Sequence, residues 1–214
     1  MAEKVNVVDK ERWNPKTEIG RMVKSGEITS LEQIIEMGRP ILEPEISDVL
    51  LQSMESETLL IKSTQRVTDS GRKIAFRVVV CVGDHNGHVG IGVGKSDEIR
   101  PALDYAQRDA KKNMISIKMG CGSWECKCHA MHSIPKATVG KEGSTIVNLK
   151  PAPKGLGLAS NATVKKVLSI AGVKDAWSTT SGNTNNVYNT AMAAMKALQN
   201  ISMVKPHPVR GQAE

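Results

Sequence analysis

The sequence predicts an α+β protein of two small domains. Three observations predict this class. Short stretches with apolar residues at alternate positions, the pattern of half-buried strands, recur along the chain. Stretches with apolar residues every three or four positions, the pattern of amphipathic helices, lie between them and are bounded by capping residues. A segment rich in glycine and cysteine separates an earlier group of elements from a later one.

We expect five segments along the 214 residues. Residues 1–57 form an N-terminal extension with two short helices, and residues 58–118 form the first domain. Residues 119–143 are a connection rich in Cys, His and Gly. The second domain covers residues 144–200, and an extended tail covers residues 201–214.

The extension begins with residues 1–28, which lack sustained periodicity. We expect them to be irregular, with Trp13 as a possible anchor. Thr29 opens a capping box, and the helix that follows stops at Gly38. Pro44 suits the first turn of a second helix, because proline needs no hydrogen-bonded N–H there.

A strand at residues 58–65 opens the first domain, and a β-hairpin follows. Apolar residues alternate from Ile74 to Val82, and Asn86 with Gly87 supplies a turn that tolerates positive φ. The third strand bears glycines on one face, which predicts close approach by another backbone, from a packed helix or a nucleic acid. These glycines are Gly90, Gly92 and Gly94.

Ser96 or Asp97 caps the helix that closes the first domain, and its apolar residues recur at helical spacing. The resulting order, α-β-β-β-α, is that of double-stranded-RNA-binding domains. Such domains recognise the shape and the sugar–phosphate groups of a duplex. Many other α+β modules share this order, so it indicates a fold and does not by itself assign a function.

The second domain has the predicted order βαβα. A strand at residues 144–149 precedes a helix at residues 162–171, which Gly172 closes. A strand at residues 175–180 and a helix at residues 184–198 complete it.

The distribution of charge favours binding to a polyanion. Residues 1–60 hold seven Lys and Arg against twelve Asp and Glu, a net charge of −5. Residues 61–214 hold 22 basic against 10 acidic residues, a net charge of +12. Basic side chains displace counterions from phosphates, so the body of the chain suits nucleic acid, although charge that only maintains solubility is the alternative. We expect no secretory leader, no membrane segment and reduced cysteines, which indicates a cytoplasmic protein.

The turn of the first hairpin is the clearest candidate for contact with RNA. Arg66, Arg72 and Lys73 flank a tight turn, and guanidinium groups bind phosphate through paired hydrogen bonds. A solvated basic turn is the alternative. The full candidate set is Gln65, Arg66, Thr68, Ser70, Gly71, Arg72, Lys73, Lys111, Lys112, Lys150 and Lys154.

The connection concentrates thiol and imidazole groups that are typical zinc ligands. With only three cysteines there, one histidine must complete a tetrahedral set, and His132 is less crowded than His129. The second and third cysteines are one residue apart, where two is usual, so a loop without metal that contacts RNA or packs on Trp124 is the alternative. The candidate ligands are Cys121, Cys126, Cys128 and His132.

Enzymatic activity has no support in the sequence. The segment GIGVGKS lacks the first glycine of a nucleotide-binding Walker loop, because Val89 stands in that position. Cys81 lies in an apolar strand without a placed base, so we expect a core thiol. No glutamate is placed as a general base in an HExxH-like arrangement, and we expect no catalytic metal and no required cofactor.

Several segments, in order, resemble the archaeal and eukaryotic form of the small-subunit ribosomal protein S-five family. The first set is QRVTDSG, FRVVV, HVGIGVGKS and KKNMI. The second is the continuous stretch GKEGSTIVNLKPAPKGLGLASNATVKKVLSIAGVKDAWSTTSGNT. Three features depart from the family pattern: the usual two glycines of the hairpin tip are reduced to Gly71, Leu156 replaces a common threonine, and Met192 stands where a basic residue is usual.

The resemblance implies a structural component of the small ribosomal subunit that binds its RNA. It also implies the double-stranded-RNA-binding and S-five carboxyl-terminal types for the two domains. The implied neighbours are ribosomal proteins S-four and S-eight, and messenger RNA where it enters the subunit, with a role in decoding accuracy. No homo-oligomer is expected. An RNA-binding module outside the ribosome and a zinc-dependent nucleic-acid enzyme are the alternatives.

Overall fold

The computed structural model describes residues 3–4, 13–51, 53–126, 128 and 130–202. Within these ranges the chain forms helices and strands in two sheets. The helices are α1 Glu18–Ser25, α2 Leu31–Glu36, α3 Pro44–Leu50, α4 Ile99–Lys112, α5 Ala162–Ala171 and α6 Val187–Ser202. The strands are β1 Glu3–Lys4, β2 Glu55–Thr68, β3 Gly71–Gly83, β4 His88–Ser96, β5 Met114–Ser116, β6 Thr138–Glu142, β7 Thr145–Pro151, β8 Leu158–Ala159 and β9 Ala176–Ser181.

The first sheet is antiparallel, with the order β1-β2-β3-β4-β5. Helix α3, strands β2 to β4 and helix α4 give the predicted α-β-β-β-α order, so this fold prediction is confirmed. Strand β2 is longer than predicted, with 14 residues. The hairpin of β2 and β3 therefore extends beyond the rest of the sheet.

The close packing of helix α4 on β4 explains why glycines occupy one face of this strand. A Cβ added at Gly92 would collide with the backbone of Ala106 and Ala110, and one at Gly94 would collide with the Ala102 carbonyl oxygen. The close neighbour that these glycines predicted is thus a packed helix of the same chain. It is not a nucleic-acid backbone.

The second sheet has the order β6-β7-β9-β8, in which only β8 and β9 run parallel. Helices α5 and α6 pack against it, as the predicted βαβα order requires. Strand β6 lies inside residues 119–143, where we predicted a connection, because it forms a hairpin with β7. The short strand β8 was not predicted either.

Both faces of the first sheet are buried at its centre, along residues 78–82 of β3. Val78, Val80 and Val82 face α4 and the helices of the extension. Val79 and Cys81, on the opposite face of β3, join a single apolar cluster with residues of α5 and α6. The two domains therefore share a hydrophobic core. Cys81 is buried in this core, and its burial raises the pKa of its thiol far above the usual range.

The extension is more regular than predicted. The expectation of an irregular segment over residues 1–28 is wrong for α1, which Thr17 caps by accepting a hydrogen bond from the Gly20 N–H at 3.1 Å. Trp13 is buried, as expected for an anchor. Most of residues 1–12 and all of residues 203–214 lie outside the described residues. The extended tail was predicted from residue 201, but α6 continues to Ser202, and the rest of the predicted tail lies outside the described residues.

Three local predictions need correction. Helix α2 begins after Ser30 rather than Thr29, and α4 begins after Glu98 rather than Ser96 or Asp97. In the β3–β4 turn, His85 and Gly87 adopt positive φ, at 59° and 101°. His85 tolerates this conformation because its N–H donates to the Ile170 carbonyl at 3.0 Å, at the end of α5.

No helix in the described part of the chain is long and apolar enough to cross a membrane.

Candidate nucleic-acid interface and metal centre

The tip of the β2–β3 hairpin is fully exposed. Thr68 pairs with Gly71 across a two-residue turn, and the Thr68 hydroxyl donates to the Gly71 carbonyl oxygen at 2.9 Å. Gly71 has a φ of +136°, which disfavours other residues. The exposed candidates here are Gln65, Arg66, Thr68, Ser70, Gly71, Arg72 and Lys73.

The strand register gathers basic side chains on one face of this hairpin. Arg66 pairs with Lys73, and Lys62 pairs with Arg77, so all four side chains share a face. Arg77 also pairs with Lys95 of β4. We call these five residues the basic stripe. Sequence reasoning missed Lys62, Arg77 and Lys95, although their even spacing from the tip along paired strands was a usable signal.

The basic stripe lies on the side of the sheet that carries the second domain. The Arg77 guanidinium stacks over the Tyr188 ring of α6, 5.1 Å from its centroid. An aromatic face attracts a cation in this geometry. Lys73 makes an exposed ion pair with Asp97 at 3.6 Å, and such a pair contributes little to stability. Both basic groups remain accessible to a polyanion.

Lys111 does not belong to an exposed RNA-binding surface. Its Nζ lies 2.6 Å from Asp48 Oδ1 and 2.7 Å from Asp48 Oδ2, and both side chains are buried between α3 and α4. This buried ion pair argues against the predicted contact between Lys111 and RNA. Burial raises the pKa of Asp48, although the hydrogen bond from Lys111 opposes the change. The neighbouring Lys112 is exposed.

The remaining two basic candidates lie on the second domain. Lys150, at the end of β7, is exposed and pairs across the sheet with Trp177. Lys154 is exposed in the loop that follows, residues 151–157, which we call the PAPKGLG loop.

The structure brings together all four predicted metal ligands. The donor atoms of Cys121, Cys126, Cys128 and His132 lie within 4.8 Å of one another. Cys126 Sγ is 3.7 Å from His132 Nε2, and Cys128 Sγ is 3.6 Å from Cys121 Sγ. Zinc bonds of about 2.3 Å to sulfur and about 2.0–2.1 Å to nitrogen place tetrahedral ligand atoms roughly 3.5–3.8 Å apart. These two separations fit zinc. The alternative ligand His129 lies outside the described residues.

A carboxylate orients the histidine of this cluster. His132 Nδ1 lies 2.8 Å from Asp175 Oδ2, and both side chains are buried. An N–H donated from Nδ1 leaves the Nε2 lone pair directed at the thiols. Carboxylate–histidine–metal arrangements of this kind are the rule in zinc proteins. Asp175 was not identified from the sequence, because it lies 43 residues from His132.

The thiols differ in acidity. Hydrogen bonds from Cys128 and from the backbone N–H of Lys154 lower the pKa of Cys126 to about 6. Partial burial and the neighbouring Cys128 raise the pKa of Cys121 to about 11. Trp124 is 90% exposed, so the alternative in which these groups pack on its ring is wrong.

Comparison with known proteins identifies the family of the chain. Residues 54–118 match the family model for ribosomal protein S5, N-terminal domain, and residues 140–208 match the one for the C-terminal domain. The small ribosomal subunit protein uS5 of Methanocaldococcus jannaschii is 49% identical over 91% of this chain and 90% of its own. The proteins of the same description from Methanoregula boonei and Staphylothermus marinus are 47% and 48% identical, each over 92% of this chain and 96% and 93% of their own. The basic hairpin and the two α+β units therefore belong to a chain of the ribosomal protein S5 family, a family of structural proteins without enzymatic activity.

Proposed function

We propose that this chain is a structural constituent of the small ribosomal subunit in the cytoplasm and binds its ribosomal RNA. The observation that carries the proposal is the pairing of Arg66 with Lys73 at an exposed hairpin tip. Two cations held side by side in solvent are suited to bridging phosphates of folded RNA. The chain makes and breaks no covalent bond.

The RNA-binding surface that we propose extends from the tip to the second domain. Phosphate neutralisation by lysine and arginine supplies most of its affinity, and backbone geometry rather than base sequence is recognised. The predicted residues that remain in this surface are Gln65, Arg66, Thr68, Ser70, Gly71, Arg72, Lys73, Lys112, Lys150 and Lys154. The structure adds Lys62, Arg77 and Lys95 as exposed members of the same surface.

The domain division is part of the proposal. Residues 58–118 form the RNA-binding domain, and the second domain starts at Thr138 rather than at Ser144, because β6 pairs with β7. The ranges of the two family models, 54–118 and 140–208, support this division. The shared apolar cluster indicates that the two domains dock as one unit.

We further propose that ribosomal proteins S-four and S-eight are neighbours of the chain in the subunit, and that messenger RNA enters nearby. A contribution to decoding accuracy belongs to the same proposal. Support comes from the family resemblance of the hairpin and of the second domain.

We propose that the Cys121, Cys126, Cys128 and His132 cluster holds a structural zinc ion. Its donor separations fit tetrahedral coordination, and Asp175 orients the histidine. Four protein ligands fill the coordination shell, whereas a catalytic zinc site keeps one position for water or substrate. The function of this ion would be to fold the connection between the two domains.

Sedimentation of ribosomal subunits and RNA binding test the proposed function together. The tagged chain should sediment with the small subunit, whereas an RNA-binding module outside the ribosome would stay in the light fractions. The double variant Arg66→Ala with Arg72→Ala should bind small-subunit RNA more weakly, with a salt slope smaller by about two. The double variant Lys16→Ala with Arg21→Ala loses the same charge from exposed positions in the acidic extension and is the control. Equal loss of binding in both variants would contradict the assignment of the hairpin tip.

A further inference from the structure

We infer that the metal centre sets the conformation of the PAPKGLG loop, and that Asp175 transmits this effect. The inference rests on the proposed zinc site and deepens it, because it assigns the ion a role at the RNA-binding surface. Lys154 stands exposed at the centre of this loop. The loop and the metal ligands come from separate segments of the chain, and one buried carboxylate contacts both.

The first link runs from the metal ligand to the carboxylate. His132 Nδ1 donates to Asp175 Oδ2 at 2.8 Å, and His132 and Asp175 are 4% and 5% exposed. An imidazole that coordinates a metal through Nε2 keeps its proton on Nδ1 and holds that hydrogen bond in a fixed direction. On its Nε2 side the ring has a weak contact to the Cys126 thiol at 3.7 Å, and a bound metal would replace this contact with a coordinate bond.

The second link runs from the carboxylate to the loop. Asp175 Oδ1 accepts hydrogen bonds from the backbone N–H groups of Gly155 and Gly157, at 3.1 and 2.8 Å. Both glycines have positive φ, at 92° and 76°, and among the described residues no group lies within 4 Å of a Cβ placed on either. The carboxylate therefore holds this turn of the loop, together with the hydrogen bond from the Ala176 N–H to the Gly157 carbonyl oxygen at 3.2 Å. One acceptor group holds the two amides on either side of Leu156.

Backbone contacts place the metal loop beside this carboxylate. The His132 carbonyl oxygen accepts from the N–H groups of Lys174 and Asp175, at 3.0 and 3.1 Å. The Ser133 hydroxyl accepts from the Ala152 N–H at 3.2 Å, at the start of the PAPKGLG loop. The Cys126 thiol also accepts a hydrogen bond from the Lys154 backbone. The metal loop therefore contacts the PAPKGLG loop at Ala152, at Lys154 and through Asp175.

Asp175 acts as a positioning residue, since its carboxylate contacts the candidate ligand His132 and the amides of Gly155 and Gly157. Metal binding fixes the His132 ring, the ring fixes the carboxylate, and the carboxylate fixes the two glycine amides. Lys154 is then presented to RNA in one conformation. Pre-ordering of a contact residue lowers the entropic cost of binding.

Amide hydrogen exchange of the full-length chain, paired with elemental analysis, tests the inference. With one zinc per chain, the Gly155 and Gly157 amides should be protected. Removal of zinc by a chelator, or the Cys126→Ser variant, should speed their exchange by roughly tenfold or more, the effect of losing one or two hydrogen bonds. Amides of β7 and β9 should keep their protection and report that the domain stays folded.

The Asp175→Asn variant separates positioning from metal binding. An asparagine side chain has one acceptor oxygen, so it cannot serve both His132 and the two glycines. We expect zinc to remain bound while exchange at Gly155 and Gly157 rises. The variant Asp104→Asn makes the same chemical change at an exposed position of α4 and should leave both measurements unchanged.

The outcomes distinguish the two proposals. A chain that takes up no zinc when it is offered the metal refutes the metal site, and the coupling with it. A chain whose zinc falls from one to none while Gly155 and Gly157 exchange at an unchanged rate overturns the coupling alone. Faster exchange on metal loss and in Asp175→Asn, with β7 and β9 protected, supports both.

Discussion

Arg66 lies directly opposite Lys73 in the β2–β3 hairpin, so two positive side chains share one exposed face at its tip. Like charges in directly opposed positions destabilise a sheet. The isolated chain therefore gains no stability from this pair. The exposed Asp97 carboxylate, 3.6 Å from the Lys73 ammonium, offsets this repulsion only weakly. An RNA phosphate between or above the two cations would offset it further.

Arg66→Gln should accordingly have opposite effects on stability and on binding. Removal of the like-charge pair should raise the free energy of unfolding by about 0.2–1 kcal/mol. Affinity for small-subunit RNA should fall, and the salt slope should decrease by about one. Chemical denaturation and a salt titration of RNA binding measure the two effects. A loss of stability together with unchanged RNA affinity would show that the side chain is structural.

Lys111→Met should destabilise the protein without changing its RNA binding. The substitution leaves the Asp48 carboxylate buried and unpaired, and breaking a buried ion pair in this way costs about 3–5 kcal/mol. The double variant Lys111→Met with Asp48→Leu should recover most of that loss, since no buried charge remains. The denaturation midpoints of the unaltered chain, of Lys111→Met and of the double variant measure these differences in stability. A smaller salt slope of RNA binding in a still-folded Lys111→Met protein would restore this lysine to the RNA-binding surface.

The β3–β4 turn should make stability depend on pH near neutrality. A hydrogen bond to Asp84 raises the pKa of His88 above 6.5, and the charge of Glu32 acts in the same direction. Burial alone would lower the pKa of His85, but its hydrogen bond to Glu55 and that to the Ser169 carbonyl raise it. A raised pKa in the folded state stabilises the protein fully below about 6.5, and the contribution is lost as pH rises through the raised value.

Unfolding measured from pH 5.5 to 8.5 checks this dependence. The free energy of unfolding should fall as pH rises through that interval, and His88→Asn should flatten the curve. The dependence of stability on pH in acid has a different origin. Burial alone would raise the pKa of Asp84, but its hydrogen bond with His88 lowers it. That contribution disappears only when pH falls below about 3.8 and through the lowered value. An unaltered slope near neutrality in His88→Asn would contradict the role of the pair.

Gly94→Ala should destabilise the first domain. A glycine-to-alanine change in a compatible site is stabilising, because it restricts the unfolded chain. Here the added methyl group would collide with the Ala102 carbonyl oxygen of α4, so the helix or the strand must move. Overpacking of this kind costs about 1–3 kcal/mol. Thermal or chemical denaturation measures whether the free energy of unfolding falls or rises in Gly94→Ala. An increase in stability would show that α4 adapts without strain.

The local sequence was sufficient to predict most helices and strands and the residues of the metal cluster. Helix α5 has the predicted bounds, because Gly172 ends it with a left-handed residue and a single apolar face precedes that glycine. The glycines of β4 correctly predicted close packing by another backbone, which is that of α4. The cysteines and His132 were predictable because they lie within twelve residues of one another. Zinc-type ligand sets are recognisable when they are local.

Pairing between distant segments was not predictable from periodicity. The alternation along β3 indicated one buried face, but the run from Val78 to Val82 is apolar at every position, which signals a sheet buried on both faces. Lys111 looked like a solvated helix end because its partner Asp48 lies 63 residues earlier. Strand β6 has too few apolar residues to stand out, and its hairpin with β7 defines it.

The sequence alone determined the order of the elements, the position of the basic hairpin and the thiol and imidazole groups of the Cys121, Cys126, Cys128 and His132 cluster. Only the tertiary structure decided which lysine is buried, which five cations share a face, and that Asp175 joins His132 to the loop of Lys154. The physical reason is that spacing along a chain specifies which side of a helix or strand a residue occupies. It does not specify which distant segment will cover that side, since this depends on how apolar faces are buried together.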